Sequence, residues 1–174
     1  MSKFRAAIIE ELPHLRRYAR ALLRGDADAA DDLVQACIER ALSRQYLWKP
    51  PGRLRSWLFT IMHNIFINTA TTKARRKALL AGFCDRSEIA ATPDQHTRLE
   101  SQEVLEAMDR LPEEFRTALC LVALEDVSYA EAAKILGIPV GTLMSRLHRA
   151  RACLRASLDE LPSAGARPRL HSVK

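Results

Sequence analysis

The stretch that decides the fold is Ser128 to Arg151, SYAEAAKILGIPVGTLMSRLHRAR. Ser128 followed three residues later by Glu131 is a capping box, in which each side chain can satisfy an orphan backbone N–H, so a helix starts at about Tyr129. Ala130, Ala132, Ala133, Ile135 and Leu136 are small or apolar enough for a partner helix to cross closely, and Gly137 supplies the left-handed conformation that ends the helix. Pro139 suits the first turn of a second helix, where a missing N–H costs nothing. On that second helix Leu143, Leu147, Ala150 and Leu154 recur at spacings of four, three and four, while Thr142, Ser145, Arg146 and Arg149 share another face. One face packs and the other reaches outward. Two helices joined by a tight turn, with short polar groups and arginines near the start of the second, are what reading a DNA major groove requires. Arginine can pair bidentately with guanine, and Ser or Thr can serve base edges or phosphates. From Thr142 to Ser157 no carboxylate stands among Arg146, Arg149, Arg151 and Arg155, whereas solvated helices usually mix signs.

Working outward, 174 residues make one ordinary domain or two small ones. A net charge of +6 favours a polyanionic partner, and the helix pair favours nucleic acid over an anionic membrane. No apolar run follows Lys3 and Arg5, and the longest apolar stretch, Ala118 to Leu124, is too short to cross a bilayer, so the expected location is the cytoplasm without membrane insertion. Cys37, Cys84, Cys120 and Cys153 lie far apart with no C-x-x-C pair, and Cys37, Cys120 and Cys153 fall in helical patterns as small buried hydrophobes. Cys84, in a loop with His96 nearby, is the one thiol with an open redox question. No metal motif, Gly-rich phosphate loop or nucleophile elbow occurs, so no cofactor, no metal and no enzyme activity are expected.

The expected fold is all-α, with two small helical domains joined by a flexible linker. In the first, Ile8, Ile9, Leu12, Leu15, Tyr18, Ala19, Leu22 and Leu23 form an apolar stripe closed by Gly25. Asp26 caps a second helix with Asp28, Asp31 and Asp32 in its early turns and Leu33, Val34, Cys37, Ile38 and Leu42 as its apolar set. Lys49 to Gly52 is a loop, and a third helix begins at Leu54 with Trp57, Leu58, Ile61, Ile65 and Phe66 at helical spacing. His63, Asn64, Asn68 and Thr71 lie on another side of it and lead into Lys73, Arg75, Arg76 and Lys77. Amides beside aromatics and a basic run suit unstacked single-stranded bases and their phosphates.

Ala78 to Thr97 loses periodicity and reads as the linker. Helical spacing resumes from Leu99 through Val104, Leu105 and Met108, stops at Leu111, and restarts at Pro112 with Glu113 and Glu114, a favourable start for both φ and the helix dipole. The boundaries are therefore residues 1–77, a linker at 78–98, a second domain at 99–161 and a basic tail at 162–174.

Two helical modules in this order, carried by ADDLVQACIERAL (Ala30 to Leu42), RLRSWLFTIMHNIFIN (Arg53 to Asn68) and LPEEFRTALCLVALEDVSYAEAAKILGIPVGTLMSRLHRAR (Leu111 to Arg151), resemble a bacterial RNA polymerase sigma factor of the extracytoplasmic-function class, group IV. The LPHLRRYARALL and WLFTIMHN wording leans toward its general-stress-like branch. The resemblance implies that the first module, sigma domain 2, docks on the clamp helices of core RNA polymerase through Asp32, Leu33, Gln35 and Ile38. It places Asn64, with His63 and Asn68, where the family captures a flipped minus-ten base, with Lys73, Arg75 and Arg76 on phosphates. The family usually has a denser basic tract after this helix than Asn68 to Thr72 provides. It implies that sigma domain 4 binds the polymerase flap and reads the minus-thirty-five duplex with Thr142, Ser145, Arg146 and Arg149. Leu119 and Val122 are candidates for the flap or for the domain's own core. It further implies promoter-specific transcription initiation held in check by an anti-sigma protein. The main rival is a stand-alone regulator that binds duplex DNA without polymerase, followed by a mimic that sequesters an anti-sigma protein.

Overall fold

The structure is a computed structural model that describes residues 3–48, 53–79, 104 and 106–159, with side chains at all of these except 70–79 and 159. The loop at 49–52, Cys84 and His96, most of the linker, Leu99, Leu105 and the tail lie outside the described residues.

Helix α1 runs over Lys3–Leu22, through Pro13. Proline has no N–H to give the carbonyl one turn back, so this helix forgoes a bond that the sequence reading did not take into account. Its exit is tight, with Arg24 and Gly25 both in the left-handed region at φ +55° and +78°. Helix α2, Ala27–Ser43, is capped as expected, the Asp26 carboxylate accepting from the Ala29 N–H at 3.0 Å. A short 3₁₀ turn over Gln45–Leu47 follows, and then α3, Leu54–Leu79. The three helices enclose Leu15, Tyr18, Ala19, Leu22, Leu33, Val34, Cys37, Ala41, Leu58, Phe59, Met62 and Phe66. Tyr18 meets Phe59 edge-on at 5.0 Å, and Trp57 is half-buried with its ring 6.3 Å from that of Phe4. Phe59 and Met62 are fully buried, yet neither belongs to the apolar set read from the sequence; Ile9, which does, is half exposed on the outer side of α1.

The second module has helical residues at 106–110 and then α4 (Glu113–Ala123), α5 (Tyr129–Leu136) and α6 (Val140–Asp159). Pro112 precedes α4 and two glutamates occupy its first turn, next to the positive end of the helix dipole. Val104, expected on the packed side, is exposed, whereas Ala107 and Leu111 are buried. No strand occurs among the described residues.

The modules do not stand apart. Helix α1 packs on α4 and α3 packs on α5, so one buried apolar cluster runs through both.

Candidate nucleic-acid interface

The helix pair is built as its sequence dictates. The Ser128 hydroxyl accepts from the Glu131 N–H at the start of α5, and Gly137 closes that helix at φ +65°. Gly137 donates to the Lys134 carbonyl and Ile138 to the Ala133 carbonyl at 3.0 Å, the paired bonds of a Schellman end. The capping box has an added use. The Glu131 carboxylate takes the Ser128 hydroxyl at 3.0 Å and also reaches the other module, accepting from Arg53 at 3.0 Å and Ser56 at 3.4 Å.

Ala132, Ala133 and Ile135 of α5 are buried with Leu143, Leu147 and Ala150 of α6. Packing that stripe turns the opposite side of α6 outward, where Ser145 and Arg149 are exposed; Thr142 and Arg146 are half-buried at its edge. The Ser145 hydroxyl donates to the Thr142 carbonyl at 2.9 Å, as exposed helical serines do in the absence of another acceptor. Arg146 has a carboxylate partner that its own helix lacks: its guanidinium lies 2.7 Å from Glu114 at the start of α4. Val140, Met144 and His148 share the exposed surface of α6 and do not figure among the sequence candidates. The exposed line Gly141, Ser145, His148 and Ala152 follows from register alone, whereas Val140 and Met144 are apolar and carry no polar signal of an outward position.

On α3, Asn64 and Asn68 are exposed and His63 is half-buried, its Nδ1 enclosed with no hydrogen-bond partner among the described residues. Burial, aided by the positive charge of Arg146, holds the His63 pKa below the ordinary imidazole value. His63 and Arg146, expected to serve two separate DNA elements, thus lie within electrostatic reach of one another. The α3 backbone is helical through Lys73, Arg75 and Arg76, whose side chains lie outside the described residues. On α2, Asp32 and Gln35 are exposed, Ile38 is half-buried and Leu33 is buried. Leu33 serves the module's own core, so the surface offered by the expected polymerase-binding set is chiefly Asp32 and Gln35. Leu119 is likewise buried, so core packing accounts for it.

A polar seam missed by sequence reading joins the modules. Glu125, just after α4, has a fully enclosed side chain. Arg17 of α1 donates to it through Nε at 2.7 Å and Nη2 at 3.0 Å, and His14 Nδ1 lies 2.8 Å from the same carboxylate. Arg116, also buried, donates from Nη2 to the Leu22 carbonyl at the end of α1, while its Nε and Nη1 have no partner among the described residues. These pairs are about a hundred positions apart in the chain, with no local pattern to reveal them.

Residues 8–63 match the family described as the sigma2 domain of PhyR, and residues 101–154 match sigma-70, region 4. The ECF RNA polymerase sigma factor EcfG of Rhodopseudomonas palustris (strain TIE-1) is 41% identical over 151 residues, spanning 87% of this chain and 82% of that protein. The chain belongs to the extracytoplasmic-function sigma factors. A second member, SigL of Mycobacterium tuberculosis (strain H37Rv), is 34% identical over 90% of this chain and 89% of its own. Among solved structures, the sigma factor RpoE of Bartonella quintana, crystallised with the anti-sigma factor NepR, superposes with a TM-score of 0.80 at 31% identity, covering 93% of this chain and all of that one. In this sigma factor the region-4 match contains α5 and α6 as far as Leu154, with Thr142, Ser145, Arg146 and Arg149, whereas the sigma2 match ends at His63, just before Asn64. Among the described residues, no helix is long and apolar enough to cross a membrane, and no cluster of side chains could hold a metal ion.

Proposed function

We propose that this sigma factor binds core RNA polymerase in the cytoplasm, carries no catalytic activity of its own, and directs initiation by reading a minus-thirty-five duplex and melting a minus-ten element. The division at 1–77, 78–98, 99–161 and 162–174 assigns melting to the first domain and duplex reading to the second. The observation that carries the reading is the polarity of α6, which buries Leu143, Leu147 and Ala150 while Ser145 and Arg149 remain exposed beside Thr142 and Arg146. Such a helix can lie in a major groove without unfolding its own support. His148 and Met144 join those four as contact candidates, a methionine suiting apolar contact with a thymine methyl.

Asn64 offers an exposed amide that can pair with a base edge once that base is unstacked, and His63, Asn68, Lys73, Arg75 and Arg76 flank it along α3. Asp32, Gln35 and Ile38, with Leu33 beneath them, make the polymerase-docking side of α2, and the flap meets the second domain. An anti-sigma protein silences the factor, as the complex of its Bartonella relative with NepR supports. The deciding experiment is run-off transcription with core polymerase on a genomic promoter library. Specific transcripts that core alone does not make are expected; duplex binding without any transcript would instead identify a stand-alone regulator.

A further inference from the structure

Val140 and Met144, one turn apart on the same side of α6, are 43% and 53% exposed, the largest apolar exposures in the second module among its described residues. Neither joins the apolar cluster that runs through the modules, because Leu143, Leu147 and Ala150 already supply the packed stripe of α6. Uncovered side chains of this size beside a binding surface mark a partner that offers apolar area. The partner is also anionic. From Val140 to Ser157 the helix carries Arg146, Arg149, Arg151 and Arg155 with no carboxylate. Arg151 lies on the same flank as Met144, about 10 Å further along the helix. Its Nη2 donates to the Tyr129 hydroxyl at 3.4 Å, so that flank ends in a cation tied to the start of α5.

The major groove of duplex DNA meets both demands, and it does so at one base only. Guanine, cytosine and adenine present hydrogen-bonding groups there, whereas thymine adds a 5-methyl group. Against Val140 and Met144 a G·C pair loses hydration without gaining a hydrogen-bond partner, while a thymine methyl gains from leaving water. We propose that Val140 and Met144 form an apolar reading edge that selects thymine by its methyl group, with Arg151 holding a phosphate on the same flank. The proposal rests on the sigma-factor reading for the duplex itself and adds which base this flank accepts. Met144 precedes Arg149 by about 7.5 Å along the helix, which sets the thymine about two base pairs from the base that Arg149 pairs with.

The test uses the factor bound to core polymerase and a minus-thirty-five duplex recovered from the promoter library. Each thymine is replaced in turn by deoxyuridine, which removes the methyl and keeps every hydrogen-bonding edge. At the position this edge covers, binding should weaken by up to about fourfold, the factor that one buried methyl contributes. The salt slope should not change, because no charge is lost. In the double variant Val140→Ala with Met144→Ala, thymine and uracil duplexes should bind alike, and helical circular dichroism should persist because both side chains are exposed. Uracil tolerated at every position by the native factor overturns the proposal. So does a uracil penalty that persists undiminished in the double variant, which would put the methyl against another residue. A native holoenzyme that selects no duplex at all sinks the sigma-factor reading, and this edge with it.

Discussion

The guanidinium of Arg146 ends 2.7 Å from the carboxylate of Glu114, so one of the four expected duplex readers is already engaged within its own module. Half-exposed pairs of this kind contribute about 0–1 kcal/mol, whereas a bidentate arginine–guanine contact contributes about 1–3 kcal/mol, so DNA should win the guanidinium.

Arg149→Ala should therefore weaken upstream duplex binding by about 1–3 kcal/mol and relax specificity at one position, with Arg146→Ala showing the smaller loss because Glu114 offsets part of its gain. Glu114→Gln should strengthen binding by less than about 1 kcal/mol. Fluorescence anisotropy of the polymerase-bound factor across a salt series checks all three. A uniform loss on every sequence, with a shallower salt slope, would reassign the arginine to phosphate.

Asn64→Ala should leave the thermal melt of the protein unchanged, since the side chain is exposed on α3. Its effect should fall on opening, seen as reduced permanganate reactivity of the minus-ten region with polymerase binding intact. Normal promoter melting by the variant would move the base pocket to His63 or Asn68.

The helix pair should depend on its two ends. Ser128→Ala should cost about 1 kcal/mol through the lost cap. Gly137→Ala should cost a similar 1–2 kcal/mol, roughly, from backbone conformation rather than collision, because a Cβ at Gly137 meets nothing within 4 Å while its φ is +65°. Urea denaturation of the purified chain measures both, and a neutral Gly137→Ala would show that the turn relaxes.

Cys37 and Cys120 should make the fold sensitive to alkali. Burial pushes each thiol up to about 12, from an ordinary 9.0. The folded-state value is the higher one, so the unfolded chain releases these protons first, and stability present below pH 9 declines as pH rises toward 12. The slope is at most about 1.4 kcal/mol per pH unit for each thiol. Denaturant midpoints from pH 7 to 10.5 should fall, and less steeply in Cys37→Ala. In the folded chain at neutral pH, a thiol reagent should modify the exposed Cys153 and spare Cys37 and Cys120, which corrects the expectation that all three are buried.

Local rules carried the sequence reading furthest. Ser128, Gly137 and Asp26 act within a few residues of themselves, and each is where hydrogen-bond geometry requires it. The stripe Leu143, Leu147 and Ala150 followed from helical period in the same way. What period alone cannot supply is which apolar residue at a face's margin is covered: Ile9 and Val104 lie outside, and Phe59 and Met62 inside, because that depends on the angle at which a neighbour crosses. Glu125 was illegible for a deeper reason, since it is satisfied by groups from another module and a sequence window contains only half of the pair.

The boundary between the modules also contains polar atoms that packing leaves unserved. The Tyr18 hydroxyl and two nitrogens of Arg116 are enclosed without partners among the described residues, and burial drives the tyrosine pKa well up and the arginine pKa down. Each such group forfeits hydration worth about 1–3 kcal/mol that it recovers in water. The seam is therefore locally frustrated, tight in its ion pairs and dissatisfied beside them.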